Sequence, residues 1–339
     1  MEFILDAYKE FSEIPRKLDG PVVQVPLHME SSTYIDDKIL HNILQTFKTG
    51  NLHRFRYFGV SVELTIAGST KKKEDFIVYY TCFLAYLFKK KAGRDIQHVS
   101  IKLVCYDGEK KLPGTNESLT PYHINGGITM SGGVSADVVV YRNEEIIKVL
   151  THELVHAFGL DAKYTSPEQE SFFNEYFGIT CRSATINESF TDSLACYINT
   201  VVYSFLYNRK NPTGEFKKRF AQERRHILSQ ACKVLSHNGY YKEGGVLRNR
   251  HLVCEKTHVT SYYVLKAVVY TDVSAFERML LENSLCIHLG TYIGILKNNL
   301  PLFVKNAKLS NPSKRNSSLR MSKLDLLELV YGPKTAISI

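Results

Sequence analysis

Residues 143–161 read NEEIIKVLTHELVHAFGLD, and how this stretch folds decides how the rest is arranged. From Ile146 to Phe158 apolar residues recur at helical spacing, which predicts a helix over 143–159. Asn143 is placed to cap it, with Glu144 and Glu145 in the first turn, where the helix dipole favours acids. His152 and His156 stand four residues apart, so they share a helical face and can present two imidazoles to one metal ion. Glu153 brings a carboxylate close to such an ion without ligating it. The order H-E-x-x-H is a hypothesis that the rest of the chain must support. The plainer alternative is a pair of core histidines on an apolar helix. Its weakness is Glu153, because an unpaired buried carboxylate is costly and a metal site removes the problem.

The ion that suits two imidazoles and one open position is Zn2+, which is borderline soft and tetrahedral. Zinc lowers the pKa of a bound water, and Glu153 is placed to take its proton during attack on a polarised carbonyl.

The 339 residues are 44% hydrophobic and 23% charged, an ordinary globular composition that allows one large domain or two modest ones. The start, MEFILDAYKEF, carries acids and lacks the basic and apolar regions of a secretory signal. The longest apolar stretch, FIVYYTCFLAYLF (76–88), is shorter than the ~20 residues of a membrane span. A cytoplasm-like compartment is the expectation, with no membrane partner. The 7 cysteines are scattered and never form C-x-x-C, which speaks for free thiols over disulfides or a cysteine-ligated metal. Part of the net charge of +9 lies in VKNAKLSNPSKRNSSLRMSK (304–323), which carries six basic residues and no acid. A solvated, partly disordered linker is the expected reading. Nucleic acid is an unlikely partner, since no aromatic interleaving accompanies these charges.

Upstream of the motif the patterns alternate: a helix at 36–47, a strand at 56–68, a buried helix at 74–91 and a strand at 98–106. A Gly- and Pro-containing loop (107–120) leads to strands at 123–130 and 136–142. Downstream they are helical, at 186–208, 214–237, 258–270 and 273–283, the last capped by Asp272. The expected architecture is α+β: a mixed-sheet region over 1–160 ending in the metal-binding helix, and a mainly helical subdomain over 161–303. A basic segment with a short terminal helix follows over 304–339. A substrate cleft is expected between the two halves.

A third metal ligand separates the families of such sites. The metzincin pattern places a histidine or aspartate three residues after the glycine, and Asp161 is one residue short of that register after Gly159. The gluzincin pattern takes a glutamate from a later helix, and two compete. Glu175, in FFNEYFG, lies 19 residues after His156, and Glu188, in TINESFTDSLACYIN, lies 32 after it. Spacing favours Glu175. Chemistry favours Glu188, because Asp192 falls four residues later on the same face and is placed to accept the second N–H of His152. NESFTD resembles the N-E-x-x-x-D element of thermolysin-like gluzincins, in which that glutamate ligates and that aspartate supports a histidine.

INGGITM, VVVYRNEEIIKVLTHELVHAFGLD, NESFTDSLACYIN and THVTSYYVLKAVVY together resemble uncharacterised metallopeptidases of large nucleocytoplasmic DNA viruses, over about residues 98–270. The shared pattern runs through R-x-E-E-x-x-K-V, H-E-x-x-H and S-Y-Y-V-x-K. The resemblance implies a zincin-like fold and a zinc-dependent metallopeptidase with Glu153 as general base. It implies His152, His156 and Glu188 as ligands and Asp192 behind them. By the same analogy HINGGITM is an edge strand for an extended peptide, with Asn125 and Gly126 contacting substrate. A donor to the oxyanion is expected from THVTSYYVLKA. Tyr262 is the choice, with His258, Tyr263, His226 and His237 as other candidates. The implied partner is a peptide or protein substrate, with virion components also in view. The competing reading is a virion structural or binding protein of the same fold without peptidase activity.

Overall fold

The computed structural model describes residues 1–14, 18–91, 95–114, 117–161, 167–179, 185–244, 246–249, 255–309 and 317–331. Helix α1 (Glu2–Ser12) precedes strand β1 (Val23–Pro26), helix α2 (Asp37–Thr46), strands β2 (Thr49–Tyr57) and β3 (Val60–Ala67), helix α3 (Lys71–Lys89) and strand β4 (His98–Val104). A single turn of helix, α4 (Pro121–Ile124), then leads into strands β5 (Gly127–Gly132) and β6 (Ser135–Val140). The six strands form one mixed sheet in the order β1-β2-β3-β4-β6-β5, with β3-β4 and β4-β6 parallel and the other pairs antiparallel.

Val60, Val62, Leu64 and Ile66 alternate along β3 onto one face, where α3 covers them. That helix is buried almost all round, from Phe76 to Phe88, because α1 packs on its far side through Tyr8 and Phe11. The opposite face of the sheet is covered by α2 through Ile39, Leu40 and Ile43.

The remaining elements are helical apart from one hairpin. They are α5 (Ile146–Ala157), α6 (Pro167–Phe177), α7 (Ile186–Tyr207) and α8 (Pro212–His237), then the hairpin β7 (Tyr240–Glu243) and β8 (Val246–Asn249). A π-helical turn, Thr260–Leu265, runs into α9 (Lys266–Thr271), followed by α10 (Ser274–Glu282), α11 (Leu289–Asn306) and α12 (Leu326–Tyr331). The result is a mixed α/β fold with its sheet in the N-terminal half and helices in the C-terminal part. Helix α5 lies between them, packed on β5 and β6 on one side and on α7 on the other.

Several expectations from sequence are corrected. The strand expected over 56–68 is a hairpin whose turn is Phe58-Gly59, both in the left-handed region (φ 51° and 81°). A phenylalanine gives no sign of such a turn, which usually uses Asn or Gly. The strand expected from His123 starts at Gly127, so Asn125 and Gly126 lie in the connection before it. Asn143 does not cap α5 but donates to Asp107 at 3.0 Å. The cap position belongs to Glu145, itself left-handed at φ 61°.

Glu145 is buried and bonded to Lys110 Nζ at 3.2 Å and to the backbone N–H groups of Met321 and Ser322. Glu144 accepts the Lys110 N–H at 2.7 Å. These acids therefore anchor neighbouring segments instead of decorating a first turn. The basic stretch is likewise no solvated linker where it is described: Leu319, Met321, Ser322 and Leu324 are buried, and Glu223 accepts the N–H groups of Lys323 and Leu324. Residues 310–316 lie outside the described residues. Among the described residues, no helix is long and apolar enough to cross a membrane.

Candidate metal centre

Helix α5 presents His152 and His156 to the first turn of α7, where Glu188 enters from the opposite side. His152 Nε2 and His156 Nε2 are 3.1 Å apart, and Glu188 Oε2 lies 3.2 Å and 3.3 Å from them. Three donor atoms thus converge in a near-equilateral triangle. Ligands at 2.0–2.1 Å from a tetrahedral zinc ion lie about 3.3 Å apart, so the triangle fits one such ion. The buried Glu188 Oε2 has no hydrogen-bond partner of its own, as expected of an atom kept for a ligand role. These three residues are the group of metal-ligating side chains found among the described residues. Glu175, the rival ligand, sits on the exposed side of α6 and outside the triangle.

Each histidine has a carboxylate behind it. Asp192 Oδ1 lies 3.2 Å from His152 Nδ1, although the contact lacks hydrogen-bond alignment. Asp161 Oδ2 lies 2.9 Å from His156 Nδ1 and within hydrogen-bonding geometry. The second partnership was missed from sequence, where Asp161 was weighed only as a ligand in another register. The αL glycine that ends the helix, Gly159 at φ 66°, turns the chain so that Asp161 comes back onto the preceding turn. Burial pushes His152 down to about 3. His156 is held well above its ordinary value, because the Glu188 and Asp161 carboxylates outweigh its burial.

Glu153 lines the same cleft as the triangle and reaches β5, an edge strand of the sheet. Thr129 Oγ1 on that strand lies 2.7 Å from Glu153 Oε2. Burial raises the carboxyl to about 7. The carboxylate fits only because residue 127 is glycine: a Cβ there would stand 2.7 Å from Glu153 Oε1 and 2.8 Å from its Cγ. No sequence pattern singled out Gly127 or Thr129.

Tyr262 lies in the π-helical turn with its ring 5.7 Å from that of His152. Burial first, then the carboxylates of Glu188 and Glu153, hold its phenol well above the ordinary range, so it remains a donor at neutral pH. His258 stacks on Tyr34 and meets Tyr262 edge-on at the same cleft. The other candidates are elsewhere. Tyr263 donates to the Leu319 carbonyl, His226 is bonded to that of Arg320 and His237 to that of Glu117.

Asn125 is buried, with Nδ2 on the Tyr34 carbonyl at 3.1 Å and Oδ1 on Thr257 Oγ1 at 2.8 Å, so it ties the two walls of the cleft together. Gly126 accepts from the Tyr141 N–H at 2.9 Å and lies against Val149.

The cleft over the triangle has a volume of about 660 Å³ and is walled by Tyr34, the edge strand and Lys256–His258. A second cleft of about 720 Å³ runs beside Arg320 and α12. Among the described residues it holds no such ligand cluster, and its Arg320 is engaged by Asp325 at 3.2 Å and Glu328 at 3.5 Å.

No family model matches the chain. Over 122 residues, 34% of its length, the chain is 26% identical to an uncharacterised protein of Acanthamoeba polyphaga mimivirus, and the match spans 31% of that relative. A solved aminopeptidase N family protein from Idiomarina loihiensis aligns with 77% of this chain and 42% of its own, at 11% identity and a TM-score of 0.32. Fold and site together define a mixed α/β protein with a partly buried His-His-Glu cluster able to hold a metal ion. Beyond that class, the chain has a partial viral relative.

Proposed function

We propose that the chain is a zinc-dependent metallopeptidase of the gluzincin type, held by His152, His156 and Glu188. One observation carries the reading: two imidazole nitrogens and one carboxylate oxygen meet at 3.1–3.3 Å, with Glu153 beside them. Bound zinc supplies Lewis acidity and lowers the pKa of water at the site. The chain's own residues do the rest.

Glu153, its carboxyl raised into the neutral range by burial, accepts a proton from the attacking water and passes it to the leaving amide nitrogen. Thr129 fixes which carboxylate oxygen faces the cleft. Tyr262 donates its phenolic hydrogen toward the oxyanion. Asp161 and Asp192 orient the ligand imidazoles, the usual role of such carboxylates. The substrate is a peptide or protein segment lying along the exposed edge of β5, where its backbone continues the sheet.

The test is a peptide-library digest with native protein and Glu153→Gln, each assayed for bound zinc. The expected outcome is cleavage by the native chain and a loss of 10²–10⁴-fold in the variant, with zinc retained. Equal cleavage by both overturns the reading.

A further inference from the structure

Asp192 is not alone behind His152. Its Oδ1 is bonded to Lys148 Nζ and its Oδ2 to Lys266 Nζ at 2.5 Å, and all three side chains are 2% exposed or less. Lys148 is on α5, one turn before His152, and Lys266 opens α9. Lys266 Nζ is in turn fixed by the Met321 carbonyl at 2.9 Å, and Lys148 Nζ lies 3.5 Å from Met321 Sδ. Met321 therefore roofs the pair, and the Glu145 carboxylate holds Met321 through its N–H at 3.0 Å. Asp161, behind the other histidine, has no such clamp among the described residues; its Oδ1 is without a partner.

The physical consequence is specific. A buried carboxylate with no partner beside it is costly and free to turn. The lysine nitrogens meet the Asp192 carboxylate from two different helices. Each also occupies one carboxylate oxygen, so the group cannot rotate away from His152. They further offset its charge, so the carboxylate orients the ligand without adding a second negative charge beside the ion.

We infer that Lys148 and Lys266 are positioning residues of the metal centre, clamping the Asp192 carboxylate beside His152 so that this imidazole is held ready for the ion. The inference rests on the metal reading above.

The experiment is zinc affinity, by competition with a chromophoric chelator, for the full chain and for Asp192→Asn, Lys266→Met and the double variant, with thermal melting of each. Asp192→Asn is expected to weaken zinc binding ~10–100-fold and Lys266→Met ~10-fold, as for other groups supporting a ligand. The double variant should match Asp192→Asn within about twofold, since the lysine acts only through the aspartate. Should Lys266→Met alone fail to fold, the charge-balanced double variant still decides. Affinity equal to Asp192→Asn supports the clamp, and a further ~10-fold loss overturns it. Lys266→Met that folds and binds zinc like the native chain, however much its melting temperature falls, also overturns it and leaves the metal reading standing. A native chain that holds no zinc overturns both.

Discussion

At the scale of single residues, the pattern H-E-x-x-H carried most of the site, because residues four apart on a helix must share a face whatever surrounds them. Glu188 stood out as the third candidate for the same reason: Asp192 lies one turn on, and two carboxylates on one helix face are a local pattern. Asp161, Thr129 and Gly127 were not legible. Their roles depend on a helix-ending glycine and on a strand brought alongside by the fold. Gly127 gives the sharpest check on this geometry. Because a Cβ there would meet the Glu153 carboxylate at 2.7 Å, Gly127→Ala must displace the proposed base while leaving the three ligand atoms alone. Activity is expected to fall ~100-fold or more, the range for a misplaced general base, with zinc content unchanged by metal analysis. Unaltered turnover would show that Glu153 does not need its present position.

At the scale of elements, the helices read from sequence after Asn143 match the structure nearly to their ends, but α6, α11 and the β7-β8 hairpin were not read at all. Other errors fall at connections. Phe58 takes a left-handed turn, Glu145 stands at a helix start with φ 61°, and a π-helical turn replaces regular helix around Tyr262. At Glu145 the partners are tertiary: Lys110 and the N–H groups of Met321 and Ser322. Glu145 shows the energetics. Burial alone would raise its carboxyl, but Lys110 and Lys148 overrule it and hold it at about 2, below the ordinary 4.5. A carboxylate depressed in this way contributes stability above pH 4.5, and loses it as the pH falls toward about 2. The shift corresponds to about 3 kcal/mol. Glu145→Gln is therefore expected to lose about that much in urea unfolding at pH 7, and the gap from the native chain should close as the pH is lowered. A gap that does not change with pH would refute the ion-pair account.

At the scale of the whole molecule, the sheet and the later helices are joined through α5 and closed from behind by residues 317–331. Composition alone made the basic C-terminal stretch look like a solvated tail. Yet Leu319 and Met321 within it are buried, as are Leu324, Leu326, Leu327, Leu329 and Val330 just after it. At ~1.5–3 kcal/mol each, their burial is of the order of the entire stability of a domain. Removal of residues 310–339 is thus expected to abolish cooperative thermal unfolding, and a truncated chain that melts like the full one would show that this segment is dispensable. The proposed function rests on His152, His156 and Glu188 holding zinc. The most direct measurement is zinc content of the purified full chain beside Glu188→Ala and Glu175→Ala. One zinc per native chain, lost in Glu188→Ala and kept in Glu175→Ala, is the expected result. Zinc kept without Glu188, or none in the native chain, would contradict it.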